Sequence, residues 1–600
     1  MDYVVHNGKE LEKAFEVLNS GDTVSLEKGV YEVTKTLEFK ENNIKVFGNG
    51  STVKGSVRVP VSGEGIVEID LKSCGITDLG RFGEGPYEDF WKAEVSVPKP
   101  HLTDLGPGLE LFYEDELMPV SRYPESGFIR ITEALGETPK MFRNERNGSS
   151  EGIFRCGDDK IKDFKDKDEL LLVGYWNADW ATQRHTVKSV SEDGVIEVNK
   201  PWHTFGYRDG GCFTGEIGGK FYVLNAREAV KSPGQWCINR KTGKLYVYLF
   251  EGQEYVEISV ADDIFSADGK NSLSICDLYL SQCRKSGICI ENSSDITINN
   301  CNVKNAGAWG ILGENCTKMS VSDCFITKTG GGGIALWGGD RNTLTSSENS
   351  ISGCEITEIA RWHKTYMAAI EIGGVGGHVY ENKIYDVPHF GMLYSGNNHV
   401  IEKNDIGNAC YESNDAGAIY TGRDYSYRGH IIRYNYLHDM YGYEGKGCIG
   451  LYFDDAVSSA SVYGNIFANM PYIALLLGGG RDYDIHDNVF VNCKMAVMID
   501  ARAARWKNFT SNPMKVLARV DYRGDIWKNA YPELYDFLEN DPFMPLGNKL
   551  CRNRIIGGDG FCIESEAVAK LLELCDNEFV KSSKPSEHEI NHYNWYYIDD

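Results

Sequence analysis

The strongest constraint on this chain is a short unit that recurs from residue 271 to about residue 500. A Cys or Asn stands two residues before an aliphatic or aromatic one. The series runs Cys276-x-Leu278, Cys301-x-Val303, Cys324-x-Ile326, Cys354-x-Ile356, Asn382-x-Ile384, Asn404-x-Ile406, Asn435-x-Leu437, Asn465-x-Phe467 and Asn488-x-Phe490, in steps of 22 to 31 residues. Each unit carries a second strand after a small residue, as in Ala369-Ile370-Glu371-Ile372, Gly417-Ala418-Ile419-Tyr420 and Gly450-Leu451-Tyr452-Phe453. Alternation turns every second side chain of such a strand inward. Two or three short strands per period mean a coil of parallel strands that stacks on itself. The expected fold class is all-β: a right-handed parallel β-helix interrupted by an inserted β-sandwich-like domain. A leucine-rich repeat has a similar period, but its Leu-x-x-Leu-x-Leu signature is absent.

The Asn column has a physical reason. Stacked Asn side chains at a tight turn hydrogen-bond along the ladder, each amide to the next. Cys fills the same column in the early coils as a small buried group. Stacking therefore accounts for Cys276, Cys301, Cys324 and Cys354 without metal chemistry. No C-x-x-C occurs and no His spacing suits zinc, so no metal or other cofactor is expected.

The rest of the chain divides around this repeat. Residues 1–58 read as an N-terminal cap and first coils. Leu11, Ala14, Phe15 and Leu18 are spaced for an amphipathic helix that closes the open end of a solenoid. Residues 59–260 break the period and hold Trp91, Trp176, Trp180, Trp202 and Trp236, which suggests the inserted β-rich domain. Residues 261–500 form the main β-helix with the catalytic face. Residues 501–600 hold loops with Trp506, a late coil at Asn553-x-Ile555 and an extension ending in Trp595-Tyr596-Tyr597.

Composition narrows the partners. With 62 basic and 87 acidic residues the net charge is −25. Such a chain repels phosphate backbones and anionic membrane surfaces, so neither nucleic acid nor membrane is an expected partner. No apolar run is long enough to span a bilayer as a helix. Met1 to Lys13 lacks the apolar core of a signal peptide. The 17 cysteines, an odd number, read as free thiols in a reducing compartment, so a cytoplasmic location is expected.

A solid coil has no pocket of its own, so a ligand lies on the outer face between inserted loops, at roughly residues 362–500. Outward carboxylates recur there. Asp415 precedes its strand, Asp454 and Asp455 end the next, and Asp500 stands at the same offset from the small residue of its strand as Asp454 does. Coils stack at about 4.8 Å, which lets Asp415 and Asp454 or Asp455 face one substrate bond. Paired carboxylates suit glycoside hydrolysis, one as proton donor and the other as nucleophile or base. Asp415 and Asp454 are offset by six positions, roughly 20 Å along a straight strand, so the pairing requires a bend. Glu371 is the fallback partner. Trp337, Trp362, Tyr420, Tyr425 and Tyr452 suit stacking on sugar faces. Arg423, His438 and Arg481 suit bonds to hydroxyls or carboxylates. The expected partner is an oligosaccharide or polysaccharide substrate. A polysaccharide lyase or uronate epimerase on the same scaffold needs a Lys or Arg base, and Arg423, Arg428 and Lys446 are available. The acidic net charge weighs against its polyanionic substrates. A non-catalytic glycan-binding β-helix is the third reading.

Several motifs in order carry a family resemblance. Asp415-Ala416-Gly417-Ala418-Ile419-Tyr420-Thr421-Gly422-Arg423-Asp424 is followed by Ile432-Arg433-Tyr434-Asn435-Tyr436-Leu437-His438-Asp439. Then come Gly450-Leu451-Tyr452-Phe453-Asp454-Asp455, Tyr463-Gly464-Asn465-Ile466-Phe467 and Gly478-Gly479-Gly480-Arg481-Asp482. With Arg122-Tyr123-Pro124, Ser232-Pro233-Gly234-Gln235-Trp236 and Thr242-Gly243-Lys244-Leu245-Tyr246 upstream, residues 1–560 resemble the β-helix enzymes of glycoside hydrolase family 141. The layout is more distantly similar to family 120 β-xylosidases. The resemblance implies hydrolysis of a plant-type glycan, with α-L-fucosidase and xylanase activities in the family. Its paired aspartates fall on Asp415 and on Asp455 or its neighbour Asp454.

Overall fold

The computed structural model describes residues 1–81, 108–142, 145–210, 219–505, 511–581 and 586–587; Trp91, Trp506 and Trp595-Tyr596-Tyr597 lie outside the described residues. Every second residue of the repeating strands is apolar, and the fold stacks these residues coil upon coil. Phe265, Ile288, Ile311, Ile334, Ile370, Met392, Ile419, Leu451, Leu475, Val497 and Phe561 follow one another in parallel register. All are buried in one continuous core. Each such side chain stabilises the coil by about 2 kcal/mol on burial. The sheet they belong to has 13 strands, and a second parallel sheet of 25 strands closes the coil around the core. The chain is a parallel β-helix.

The amide ladder sets the register. Asn382 donates from Nδ2 to Oδ1 of Asn404 at 3.0 Å, Asn404 to Asn435 at 2.9 Å, and Asn435 to Asn465 at 3.0 Å. The same contact continues from Asn465 to Asn488, Asn553 and Asn577 at 3.0 Å each. Each Oδ1 also accepts the backbone N–H of the Asn one coil earlier. Each Nδ2 spends its second proton on a carbonyl, as Asn465 does on Ile432. Every polar atom of the buried column is thus satisfied. Cys354 joins the ladder by donating its backbone N–H to Asn382, and the sulfurs of Cys301, Cys324 and Cys354 lie against backbone carbonyls. One position needs correction. Leu280 pairs with Val303, so Leu278 occupies the column in that coil, and Cys276 pairs two residues earlier with Asn299. The apparent longer first step of the repeat comes from that shift.

The helix Gly8–Val17 caps the open end, with Asn7 accepting the Glu10 N–H and Phe15 packed on Phe39 and Phe265. The coil is interrupted without losing register. Lys45–Lys54 pairs directly with Asn271–Ser281, and Leu37–Phe39 with Phe265–Asp268. The intervening chain forms antiparallel sheets of seven, three, three and four strands. The seven-stranded sheet presents Leu171, Val173 and Leu224 to one apolar layer and Leu172, Phe221 and Val223 to another, a sandwich-like arrangement. After Asp500, short helices pack Trp527, Leu534 and Phe537 against Tyr425 and Ala456. The ladder then resumes for two coils, from Lys549–Cys551 and from Glu573–Cys575, where one late coil was expected. These two strands place Cys551 beside Cys575, and the pair forms a disulfide. The expectation of free thiols throughout is corrected there, because register sets the two side chains adjacent.

Asn465→Ala deletes a ladder rung with two donors and a doubly used acceptor. It should cost about 3 kcal/mol in denaturant unfolding, whereas Asn577→Ala at the ladder's end should cost about 1 kcal/mol.

Candidate active site

Four neighbouring strands build the site: Gly417–Gly422, Ile449–Asp454, Ile473–Gly478 and Met495–Asp500. Their inward residues belong to the core, so Tyr420, Tyr452, Leu476 and Met498 share the outer face in register. At the strand ends Gly422 pairs with Asp454, and Gly478 with Asp500. The glycine between the two acids has a steric cause. A Cβ on Gly478 would lie 2.8 Å from Cζ of Arg502, so the guanidinium passes over the space a side chain would fill.

Arg502 is the hub. It is buried, with Nε at 3.0 Å and Nη2 at 2.8 Å from Asp500 Oδ2. Its Nη1 donates to Asp454 Oδ1 at 2.9 Å, and lies 3.6 Å from Asp455 Oδ1 and 3.5 Å from the Tyr452 hydroxyl. The Tyr452 hydroxyl donates to Asp415 at 3.0 Å. The Tyr420 hydroxyl donates to Asp454 Oδ2 at 2.9 Å, and Arg423 Nε holds Asp455 Oδ2 at 2.6 Å. The chain of contacts Asp415–Tyr452–Arg502–Asp454 keeps those carboxyl oxygens within about 10 Å, a span that overlaps glycosidase carboxylate separations. Long side chains bridge the six-position offset together with turns at both ends, since Asp455 and Ala456 also take left-handed backbone conformations, φ 43° and 64°. Asp415 helps by taking a left-handed backbone conformation, φ 50°, in the turn before its strand.

Electrostatics follow from the crowding. Asp415, Asp454, Asp455 and Asp500 face two guanidiniums, those of Arg423 and Arg502, which leaves two negative charges in excess if all ionise. Asp415 is pushed up to about 6, first by desolvation and then by the Asp454 charge, against the pull of Arg502, the Tyr452 hydrogen bond and Arg423. Asp415 is nevertheless exposed at the residue level. Asp455 is raised to about 7, again by desolvation first and Asp454 second, against Arg423 and Arg502. The site therefore retains a proton close to neutral pH.

Other sequence candidates lie elsewhere. Glu371 is outward in the Tyr420 column, but two strands before it and fully buried. Trp337 is buried against the bare backbone of Gly373. Trp362 packs into the core of the inserted lobe and donates to Glu110 at 2.8 Å, so it offers no open face. His438 belongs to the other sheet and pairs with Asp405 and Asp439. Arg481 is buried beneath the C-terminal helices and donates to Asn540 at 2.7 Å; Tyr425 packs there on Phe537. Arg423, Tyr420 and Tyr452 remain in the network. Arg502 was missed. Its only sequence signal is its place two residues past Asp500, in register with Asp454. Among the described residues one group has metal-ligand spacing, Cys551, Glu573 and Cys575, and its two thiols form the disulfide. No helix among the described residues is long and apolar enough to cross a membrane.

The comparisons agree with this fold. A family described as a right-handed β-helix region matches residues 263–363, and the chain is a right-handed parallel β-helix. A comparison with curated proteins finds no matching sequence. A solved structure described as a glycoside hydrolase is similar at 13% identity and a TM-score of 0.58, covering 85% of this chain and 92% of that one. XylC in complex with xylose is similar at 12% identity and a TM-score of 0.44, covering 98% of this chain and 87% of that one. A tailspike protein of E. coli bacteriophage HK620 with a pentasaccharide covers 54% of this chain and 58–60% of its own across two variants, at 8% identity and TM-scores of 0.28–0.29. The solved structure described as a glycoside hydrolase shares its fold with this chain.

The raised Asp415 carboxyl gives a stability test. Its folded value exceeds the unfolded one of about 3.9, so the folded state binds the proton more tightly, and stability falls as pH rises from about 4 to about 6. Asp415→Asn, which tolerates the left-handed backbone, removes that loss. Its melting temperature relative to the parent should therefore rise between pH 4 and pH 7 in calorimetry, and a constant difference would contradict the assigned shift.

Proposed function

We propose that the chain is a glycoside hydrolase acting on plant- or host-type oligosaccharides, with xylose- and fucose-containing glycans the first to test. The supporting observation is the carboxyl cluster on the outer face, in which a solvent-accessible Asp415 retains its proton towards neutral pH beside an oriented Asp454. In this reading Asp415 passes its proton to the glycosidic oxygen as the bond to the leaving sugar breaks. Asp454, with one oxygen held by Arg502 and the other by Tyr420, attacks the anomeric carbon or takes a proton from the attacking water. Asp455 hydrogen-bonds Asp454 and is held by Arg423, which fixes the orientation of the pair. Arg502 and the two tyrosines place these groups in a partly desolvated setting where their charges act strongly.

The lyase and epimerase readings fit less well. Each cation suited to be their base is ion-paired: Arg423 with Asp455, Arg428 with Asp482 at 2.8 Å, and Lys446 with Glu444 at 3.3 Å.

A screen of aryl glycosides of xylose, fucose, galactose and arabinose tests the activity. Asp415→Asn and Asp454→Asn should each lower kcat/KM by about 10³-fold or more on unactivated glycosides. With a dinitrophenyl leaving group, which departs without a proton, Asp415→Asn should lose far less. The parent rate should fall as pH rises above about 6, the Asp415 value, and Asp415→Asn should lose that limb. Chelator should leave turnover unchanged. An ultraviolet-absorbing unsaturated product with chelator sensitivity would establish a lyase instead.

A further inference from the structure

The strand register lines up one outward column at the C-terminal end of the 25-stranded sheet. Tyr463, His486, Cys551 and Cys575 follow one another there. Leu550 turns into the core, so Cys551 beside it turns out. The Cα atoms of the two cysteines lie 4.6 Å apart, the spacing of neighbouring coils. Two residues earlier, a second outward column holds Asp484, Lys549 and Glu573. Glu573 therefore stands beside the cysteines. One of its carboxylate oxygens and the two sulfurs all lie within 4.8 Å of one another.

This corner suits a divalent metal. Two sulfurs and a carboxylate oxygen belong to the donor types that zinc takes. Zinc–sulfur bonds of about 2.3 Å hold two sulfurs roughly 3.7 Å apart in a tetrahedron, a separation that side chains on adjacent strands reach by rotation. Glu573 is exposed, and so is its partner Lys549 at 3.7 Å, which makes their pairing weak. Lys549 sits in register between Asp484 and Glu573, so it can turn to Asp484 when Glu573 turns to a metal. Arg552, a further cation on this edge, is held by Asp487 at 2.9 and 3.0 Å. Cys575 is partly exposed, which opens the corner to solvent.

The disulfide and a metal exclude each other here, because only a thiolate is a ligand. We propose that Cys551, Cys575 and Glu573 form a zinc site that opens when the disulfide is reduced, with solvent at the fourth position. A dithiol reductant breaks the sulfur–sulfur bond. Two electrons and two protons pass to the protein, which gains two thiols, while the reductant closes its own disulfide. One Zn²⁺ then displaces both thiol protons and binds the two thiolates. The end of a solenoid has a neighbouring coil on one side only, so its last coils are held least. Disulfide and zinc both clip the same two strands, Lys549–Cys551 and Glu573–Cys575, one in oxidising and the other in reducing surroundings. The site goes beyond the hydrolase reading and does not rest on it, since the carboxyl cluster lies on the 13-stranded sheet.

The test uses the full chain, reduced with a phosphine without air, freed of the phosphine, and titrated with Co²⁺ and then Zn²⁺. Reduction should add two titratable thiols. The reduced parent should bind one cobalt with a sulfur-to-cobalt charge-transfer band in the near ultraviolet, and one equivalent of zinc should bleach it. The oxidised chain should show no band. A double variant, Cys551→Ser with Cys575→Ser, should lose the band, and Cys74→Ser, at an exposed free thiol elsewhere, should keep it. Glu573→Gln, an exposed substitution that leaves the fold intact, should weaken zinc at least about tenfold in competition with a chelator. Zinc should also raise the melting temperature of the reduced parent and leave that of the double variant unmoved. No band in the reduced parent, an equal band in the oxidised chain or the double variant, or a zinc affinity unchanged by Glu573→Gln would overturn the site. A disulfide that the phosphine leaves closed in the folded chain would overturn it as well.

Discussion

One side chain per coil keeps this molecule in register. The Asn ladder hands a hydrogen bond from Asn382 to Asn577, and each rung pairs both the amide and the backbone of its neighbour. A slip of one residue would break every rung and turn the Ile370–Met392–Ile419–Leu451 stack out of the core. Everything on the outer face inherits its position from that lock. Tyr420 stands beside Tyr452, and Asp454 stands two strands from Asp500 across a glycine, because the interior has no other way to pack.

On this rigid frame the site is held together by reach. The acidic groups come from the two ends of the strands and from different coils. Arg502 and Tyr452, two of the longest side chains available, connect them. The network is short of positive charge, and burial sharpens the shortage. Asp415 and Asp455 respond by holding protons more tightly, the condition a proton-donating carboxyl needs near neutral pH. The inserted lobe is tied to this face through Asp179 and Thr182, which bond the turns at Asn414 and Thr365.

Much of the frame was legible in the sequence, since an Asn or Cys every 22 to 31 residues and strict strand alternation state the coil directly. Asp415, Asp454, Asp455, Tyr420, Tyr452 and Arg423 were legible too, because they lie on or next to strands whose register the repeat specifies. Trp337, Trp362, His438 and Arg481 were misread, since composition marks them as sugar-binding types while their burial depends on which loop or helix covers them. Arg502 was illegible for the same reason. It comes from a segment without a repeat, and only the folded chain brings it to the strands. The Cys551–Cys575 pair shows the limit in another form, because the extra coils that align them carry only a weak marker.

The ladder has a consequence for how such a molecule can change. Coil length varies from 22 to 31 residues while the rung contacts stay at 2.9–3.0 Å. Even the 65 residues between Asn488 and Asn553 leave the rung at 3.0 Å. Loops can therefore be lengthened, shortened or exchanged at the turns while the strands hold still. Specificity and backbone are separately editable, and a chain built this way can acquire a new substrate without having to learn a new fold.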